Sequence, residues 1–422
     1  MSDEMNPELY LFFGTVQRTE FYAPLLEAGL TVGLLRNTDS PLNSEIPQGV
    51  TVPAELSFSD GPEAVCDRVR DLGRTHRLAL INIDEATVRL CAEVGRRLGL
   101  PALSPEAAYN VRSKSRMREL FLARIGAHTT CRTGAVRDRA EALDTAARIG
   151  YPVVLKPGNL YGSYFVTLCA DPARLCDAYE HLATQLPGFA REHDITDVAA
   201  EILVEEFMPG TNHSVDCLAH DGTISTTPVV DVVTGADMGG TDFHHFARIT
   251  PSSLDEATQT RMRELACQAL RALGITVGVA HVEFIHTPQG PRLIEVAGRP
   301  GANRPILLRR AFGIDLMRSW AQTLRGARPC ALRTITHNAS AVVTPYPSTS
   351  GTLIDLRGLD ALERLESVDR VVVRKQTGDV VTPRQDGARS MLRIEMQAPD
   401  RPTLDQDLAE VRRICDRMFV VA

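Results

Sequence analysis

The segment His281 to Ala297, HVEFIHTPQGPRLIEVA, limits the possible folds of this chain more than any other stretch. Two runs of alternating apolar and polar residues flank Thr-Pro-Gln-Gly-Pro, a turn composition. The segment therefore reads as an antiparallel hairpin centred near Gln289. With that centre, residue 283 pairs with 295 and 282 with 296. One face carries Val282, Phe284, Ile294 and Val296, fit for a core, and the other sets Glu283 directly opposite Glu295. Opposed side chains have Cβ atoms ~4.5–5.5 Å apart, and like charges there repel, so the pair asks for a cation. Hard carboxylate oxygens suit Mg²⁺; zinc would want His or Cys, and only His281 is near. Two solvent-facing glutamates on an exposed sheet are the plainer alternative. The functional reading gains because the strand runs into Gly298-Arg299-Pro300-Gly301-Ala302-Asn303-Arg304, where Arg299 could hold a carboxylate or phosphate or stabilise a developing anion.

Other segments add cationic groups. The apolar strand Val153-Val154-Leu155 ends in Lys156 and is followed by Pro157-Gly158-Asn159-Leu160-Tyr161-Gly162-Ser163, a loop whose backbone N–H groups could meet phosphate oxygens. Lys114 opens a helix expected over 113–124, where a lysine on the polar face is ordinarily just solvated. No G-x-x-x-x-G-K-[ST] pattern occurs, which excludes the common P-loop enzymes, and the first strand is followed by Gly14 alone, not by G-x-G-x-x-G. Leu203 to Gly210, LVEEFMPG, is an apolar strand breaking into a turn, along which a purine could bond to backbone.

The rest of the chain sets the frame. Strands expected at 9–13, 31–35 and 78–83, with helices at 20–28 and from Asp84 to about 98, predict a parallel α/β domain at the N-terminus. A hairpin is expected from 214–219 and 223–233 around Asp221-Gly222, and a helix with buried Met262, Leu265, Ala266, Ala269, Leu270 and Leu273 stops at Gly274. Short strands near 341–344, 371–375 and 391–396, turns at 377–379 and Asp386-Gly387, and a closing helix at 404–414 end the chain. At 422 residues, two to four domains are expected. Lys plus Arg number 46 against 53 Asp plus Glu, a balance that argues against nucleic-acid binding and against docking on an anionic membrane. Nine cysteines without a C-x-x-C pair and an acidic start, MSDEMNPELY, point to a reducing cytoplasm.

In this order the pieces resemble the ATP-grasp superfamily of carboxylate–amine ligases: SKSRMRELF, YPVVLKP, LVEEFMPG and HVEF…GPRLIEVAGRPG. The segment from Ala341, with PYPSTSGTLIDLRGL and VVVRKQTGDVV, is similar to the terminal domain of bacterial L-amino-acid ligases. The resemblance implies an α/β and α+β multidomain fold: a Rossmann-like pre-ATP-grasp domain at 1–105, an ATP-grasp region at 106–330 (small lid 106–208, catalytic body 209–330) and a C-terminal α+β domain at 331–422. It implies that Lys114, Lys156, Gly158, Gly162 and Ser163 meet ATP phosphates, and that Glu205, Glu206, Phe207 and Met208 line the adenine. Asn212 and His213 would stand at the ribose, where the family often has Glu. Glu283 and Glu295 would hold one or two Mg²⁺ ions, with Mn²⁺ able to substitute, and Ala297 replaces a frequent Asn ligand. Arg299 would stabilise an acyl phosphate and the tetrahedral intermediate, with His281, Gly301, Asn303 and Arg304 toward the substrates. The base for the amine stays open among His281, His244 and His245. The implied reaction joins two amino acids at the expense of ATP, in a homodimeric enzyme. A carboxylase or formyltransferase of the biotin-carboxylase or purine-pathway type is the alternative enzyme, although no M-K-M biotinyl site occurs. A non-catalytic nucleotide-binding module is the alternative outside enzymes.

Overall fold

The computed structural model describes residues 6–14, 18–40, 46–192, 201–240, 242–327, 332–383 and 390–422. Cys330 and the expected Asp386-Gly387 turn lie outside them.

Near the N-terminus, four parallel strands lie in the order Val50–Leu56, Val32–Asn37, Glu8–Phe13, Arg77–Asn82. Tyr10, Phe12 and Ile81 enter one apolar cluster and Leu11, Phe13 and Leu80 another, so both faces of the central strands are buried. That two-sided burial is why LYLFF is a continuous apolar run. The strand Val50–Leu56, absent from the sequence expectation, is an edge strand and tolerates Pro53 for that reason. The chain winds outward from Glu8–Phe13 to one side, and Arg77–Asn82 flanks it on the other, which opens a crevice at the carboxyl ends of these two strands. The helix expected from Asp84 begins at Val88, with Thr87 in the capping position. Asp84 and Glu85 are thereby left on the connection beside that crevice.

A second sheet of four antiparallel strands runs Thr133–Val136, Ile202–Glu206, Val153–Pro157, Thr167–Cys169. Helix Arg139–Ile149, capped by the Asp138 side chain, and helix Pro172–Glu192 share an apolar cluster with these strands. The largest sheet runs Gly290–Ala297, Val277–Thr287, Thr211–His220, Val230–Thr234, His245–Thr250, Ala339–Val343, Leu392–Ala398, Val368–Val373. The C-terminal strands thus extend the body sheet, and Gly351–Leu356 forms a small separate sheet with Val380–Val381 and Phe419–Val421. The expected strand 223–233 is two strands. Thr223–Thr226 folds back on Thr211–His220, the chain breaks at Pro228, which has no N–H to give, and Val230–Thr234 pairs separately.

Behind the body sheet, helix Glu256–Leu273 is capped by Asp255, which accepts from the Thr258 N–H at 2.9 Å, and ends at Gly274 with φ 77°. Its stripe of Met262, Leu265, Ala266, Ala269, Leu270 and Leu273 packs with Val282, Phe284, Leu293 and Val296 of the hairpin. Helices Pro105–Arg112 and Lys114–Arg124 supply Ala107, Ala108, Val111, Met117, Leu120 and Phe121 to the same core, so the helix bearing Lys114 is fixed against the body sheet. Truncating a leucine in this core is expected to cost about 2–5 kcal/mol. Among the described residues no helix is long and apolar enough to cross a membrane.

Candidate active site

The hairpin pairs Glu283 with Glu295 and Val282 with Val296, as its sequence pattern predicts. The turn itself is tighter than expected, pairing Thr287 with Gly290, and a bulge after Glu283 restores the register. The bulge sets Phe284 opposite Leu293. Leu293, fully buried, takes the core place expected for Ile294, and Ile294 lines the cavity instead. The two glutamates face that cavity, and each has a partner. Lys114 Nζ lies 3.0 Å from Glu295 Oε2, and His281 Nε2 lies 3.2 Å from Glu283 Oε1. Burial opposes ionisation of Glu283, but the His281 bond and nearby cationic charge win and hold its pKa well below the carboxylate range. Burial likewise disfavours the charged form of His281, yet Asp216, 2.6 Å from Nδ1, raises its pKa overall.

The second lysine lies on the strand Val153–Pro157 of the four-stranded antiparallel sheet and lines the same cavity. Lys156 is buried and its Nζ lies 2.6 Å from Glu205 Oε2; Arg118 grips the same carboxylate from 3.0 and 3.2 Å. Burial pushes the Glu205 pKa up, but the two cations outweigh it and bring it down to about 2. Burial also draws the Lys156 pKa down against the pull of Glu205. The Glu205 side chain is therefore committed to Lys156 and Arg118, so any contact to an adenine falls to the backbone of Glu205 to Met208, which lines the cavity. Glu206 stands nearer the surface, facing Arg132 at 3.3 Å and Arg292 at 3.7 Å.

Lys114 also donates to the Leu160 carbonyl at 2.5 Å, which ties its helix to the glycine-containing loop. Gly162 and Ser163 line the cavity, whereas Gly158 does not: its N–H donates to the Glu201 carbonyl and its carbonyl accepts from the Lys114 N–H. Asn212 lines the cavity and His213 does not, because neighbouring side chains on a strand point to opposite faces. His213 is turned to Asp231, 3.0 Å from Nδ1, and to the Thr211 hydroxyl, 2.7 Å from Nε2. The ribose position expected for it is corrected accordingly.

Arg299 lines the cavity beside both glutamates. Its Nη2 lies 2.9 Å from Glu85 Oε1, and its Nη1 donates to the Pro300 carbonyl at 2.9 Å. The other residues expected toward the substrates brace this loop from behind. The Gly301 N–H donates to Asp216 at 2.9 Å, and a Cβ at Gly301 would stand 2.5 Å from the His281 ring, so only glycine fits. Arg304 is buried and spends its guanidinium on the Ser214 hydroxyl and the Ala302 carbonyl, and Asn303 accepts from Arg393 at 3.4 Å. Of the three candidate bases, His281 and His245 line the cavity. His244 faces away, bonded to Asp242 and packed on the ring of Tyr346. Burial lowers the His245 pKa to about 3, so its ring is neutral at neutral pH.

Residues 149–306 match the ATP-grasp domain family. That stretch of the chain is an ATP-grasp domain. Alanine–anticapsin ligase of Bacillus subtilis (strain 168) is 28% identical over 248 residues, 56% of this chain and 52% of that protein. The uncharacterized protein y4rH of Sinorhizobium fredii is 27% identical over 351 residues, covering 81% of this chain and 69% of the other. In fold, the chain matches the L-amino acid ligase from Bacillus licheniformis with a TM-score of 0.78 at 19% identity, over 99% of each. The match to alanine–anticapsin ligase thus spans about half of that relative's length.

Members of the ATP-grasp superfamily use ATP and Mg²⁺, and the donors present in this ATP-grasp chain fit that ion. Glu283 and Glu295 offer hard oxygens, and among the described residues no cluster of three or more His, Cys, Asp or Glu side chains gathers to make a closed zinc site. Sequence reasoning missed Glu85, Arg112, Arg118 and Asp216. Two signals were available: Arg118 is one helical turn after Lys114 and shares its face, and Glu85 just follows a parallel strand's carboxyl end, where open α/β sheets present ligand sites.

Proposed function

We propose that this ATP-grasp protein is an ATP-dependent, ADP-forming carbon–nitrogen ligase that activates an amino-acid carboxylate as acyl phosphate and joins it to the amine of a second amino acid. The observation that carries the reading is the convergence of Glu283, Glu295, Lys114, Lys156 and Arg299 on one cavity. In it Lys114 and Lys156 neutralise phosphate oxygens, and the loop from Leu160 to Ser163 covers them. The backbone of Glu205 to Met208 receives the base, and Asn212 meets a ribose hydroxyl. Glu283 and Glu295 hold Mg²⁺, which supplies charge neutralisation at the transferring phosphoryl group. Arg299 stabilises the oxyanion that develops when the amine attacks, as phosphate leaves. No Ser or Cys nucleophile is needed. The names of the similar ligases support amino acids as the substrates of both halves of the reaction.

The test supplies ATP, Mg²⁺ and a pooled amino-acid panel, and measures ADP, phosphate and product mass. The proposal expects ADP release that requires an acid and an amine together, with a product of their summed mass less water. Release of AMP and pyrophosphate, or turnover that needs bicarbonate and no amino acid, would overturn it.

A further inference from the structure

Beyond the residues that face the nucleotide and metal, one buried carboxylate comes from another domain. Glu85 is 2% exposed and stands at the crevice between the strands Glu8–Phe13 and Arg77–Asn82. Two arginines from separate segments meet it. Arg299 Nη2 lies 2.9 Å from Oε1, and Arg112 Nη1 lies 3.4 Å from Oε2. Arg112 Nη1 also donates to the Asn159 carbonyl at 3.1 Å, within the loop between Lys156 and Ser163. The Glu85 carboxylate is therefore linked to Arg299 in the loop after the hairpin and, through a second arginine, to the backbone of the loop after Lys156.

We infer that Glu85 is a positioning residue that holds Arg299 away from Glu283 and Glu295 and so keeps the metal pair open. The argument rests on the charges within reach. Arg299 is almost wholly buried, and after Glu85 and Asp84 the carboxylates that act on it are Glu295 and Glu283. A buried guanidinium that loses its partner is costly, and it turns to the next anion available. Without Glu85 those anions are Asp84 on the same connection and the two glutamates proposed for Mg²⁺. An Arg299 seated on the glutamates competes with the metal and leaves the place where the oxyanion forms. The Pro300 carbonyl alone, neutral and on the adjoining residue, does not fix the guanidinium against that pull.

The inference rests on the proposed roles of Arg299 and the glutamate pair, but its test needs no amino-acid substrate. MgADP affinity is measured by calorimetry for the parent, Glu85→Gln, Arg299→Ala and the double variant. Glu85→Gln is expected to weaken MgADP binding about tenfold, a coupling of the size common for contacting charged residues. Arg299→Ala is expected to bind at least as well as the parent, and the double variant to match Arg299→Ala within twofold. Where Glu85→Gln does not fold, Glu85→Asp keeps the charge at a shorter reach, and the same cycle is expected to show a smaller loss that Arg299→Ala also cancels. An equal weakening in both backgrounds, or none in either, overturns the inference. A parent that binds MgADP without acid- and amine-dependent turnover would sink the proposed reaction and leave this cycle readable. A parent that binds no MgADP overturns both.

Discussion

Two glutamate sets line the same cavity and are left in opposite states. On the lid side Glu205 is buried and takes three contacts from two cations, Arg118 and Lys156. On the body side Glu283 and Glu295 keep 25% and 18% of their side-chain surface and have one partner each, His281 and Lys114. The Glu205 set already holds two cations on one carboxylate, so it fixes Lys156 and has no room for a further cation. The hairpin set brings two partly solvated carboxylates together on adjacent strands with one partner each. A cation that enters there relieves repulsion, which makes the hairpin the responsive half of the cavity.

The sharpest way to break this comparison is to neutralise one glutamate on each side. Glu295→Gln should cost about 10²–10³-fold in ATP turnover, the size found for groups that stabilise a transferring or developing charge. Its thermal midpoint should move less than in the buried set, since the side chain is partly solvated and Lys114 keeps its bond to the Leu160 carbonyl. Glu205→Gln should show the reverse emphasis. It leaves Arg118 and Lys156 buried without their anion and should cost about 3–5 kcal/mol of stability in urea unfolding. Equal stability losses in the two variants would erase the distinction.

Acid titration sharpens the same contrast. The Glu205 carboxyl has an ordinary value of 4.5 and a folded value of about 2. In the window between them the unfolded chain binds the proton and the folded chain does not. The stabilisation is therefore complete above the ordinary value and is lost as pH falls through the folded one. Its size is about 3 kcal/mol by linkage. The parent's unfolding free energy should fall between about pH 5 and 2, and Glu205→Gln should follow a flatter curve there. Parallel curves would mean that the cations do not hold Glu205 in the folded state.

Much of this was legible in the sequence because it follows from short-range rules. The pairing of Glu283 with Glu295 comes from period-2 alternation about a turn, and the helix Glu256–Leu273 from its apolar stripe and Gly274. What the sequence withheld depends on distant partners. Nothing local says that a bulge hands the core position to Leu293, that Glu205 spends its side chain on Arg118 and Lys156, or that Glu85 reaches Arg299. The contacts of Glu205 and Glu85 join residues tens to hundreds of positions apart, and the C-terminal strands that extend the largest sheet are concealed in the same way.

The smallest predicted effects test the geometry of a single strand. Asn212 and His213 are adjacent polar residues, and only Asn212 lines the cavity. Asn212→Ala should raise the KM for ATP about 2–10-fold, the worth of one neutral hydrogen bond. His213→Asn should change that KM less than twofold and instead lower unfolding stability by about 1 kcal/mol, because the ring bridges Thr211 and Asp231 on the far face. Asp231 also accepts at 3.0 Å from Arg401, the first residue of the helix Arg401–Cys415, so the loss should appear as weaker attachment of the C-terminal segment. Proteolysis of that segment in the His213 variant is the direct measurement. The opposite ranking of the two variants on KM would require the strand Thr211–His220 to slip by one residue when nucleotide binds, since a shift of one position exchanges every side chain between its faces.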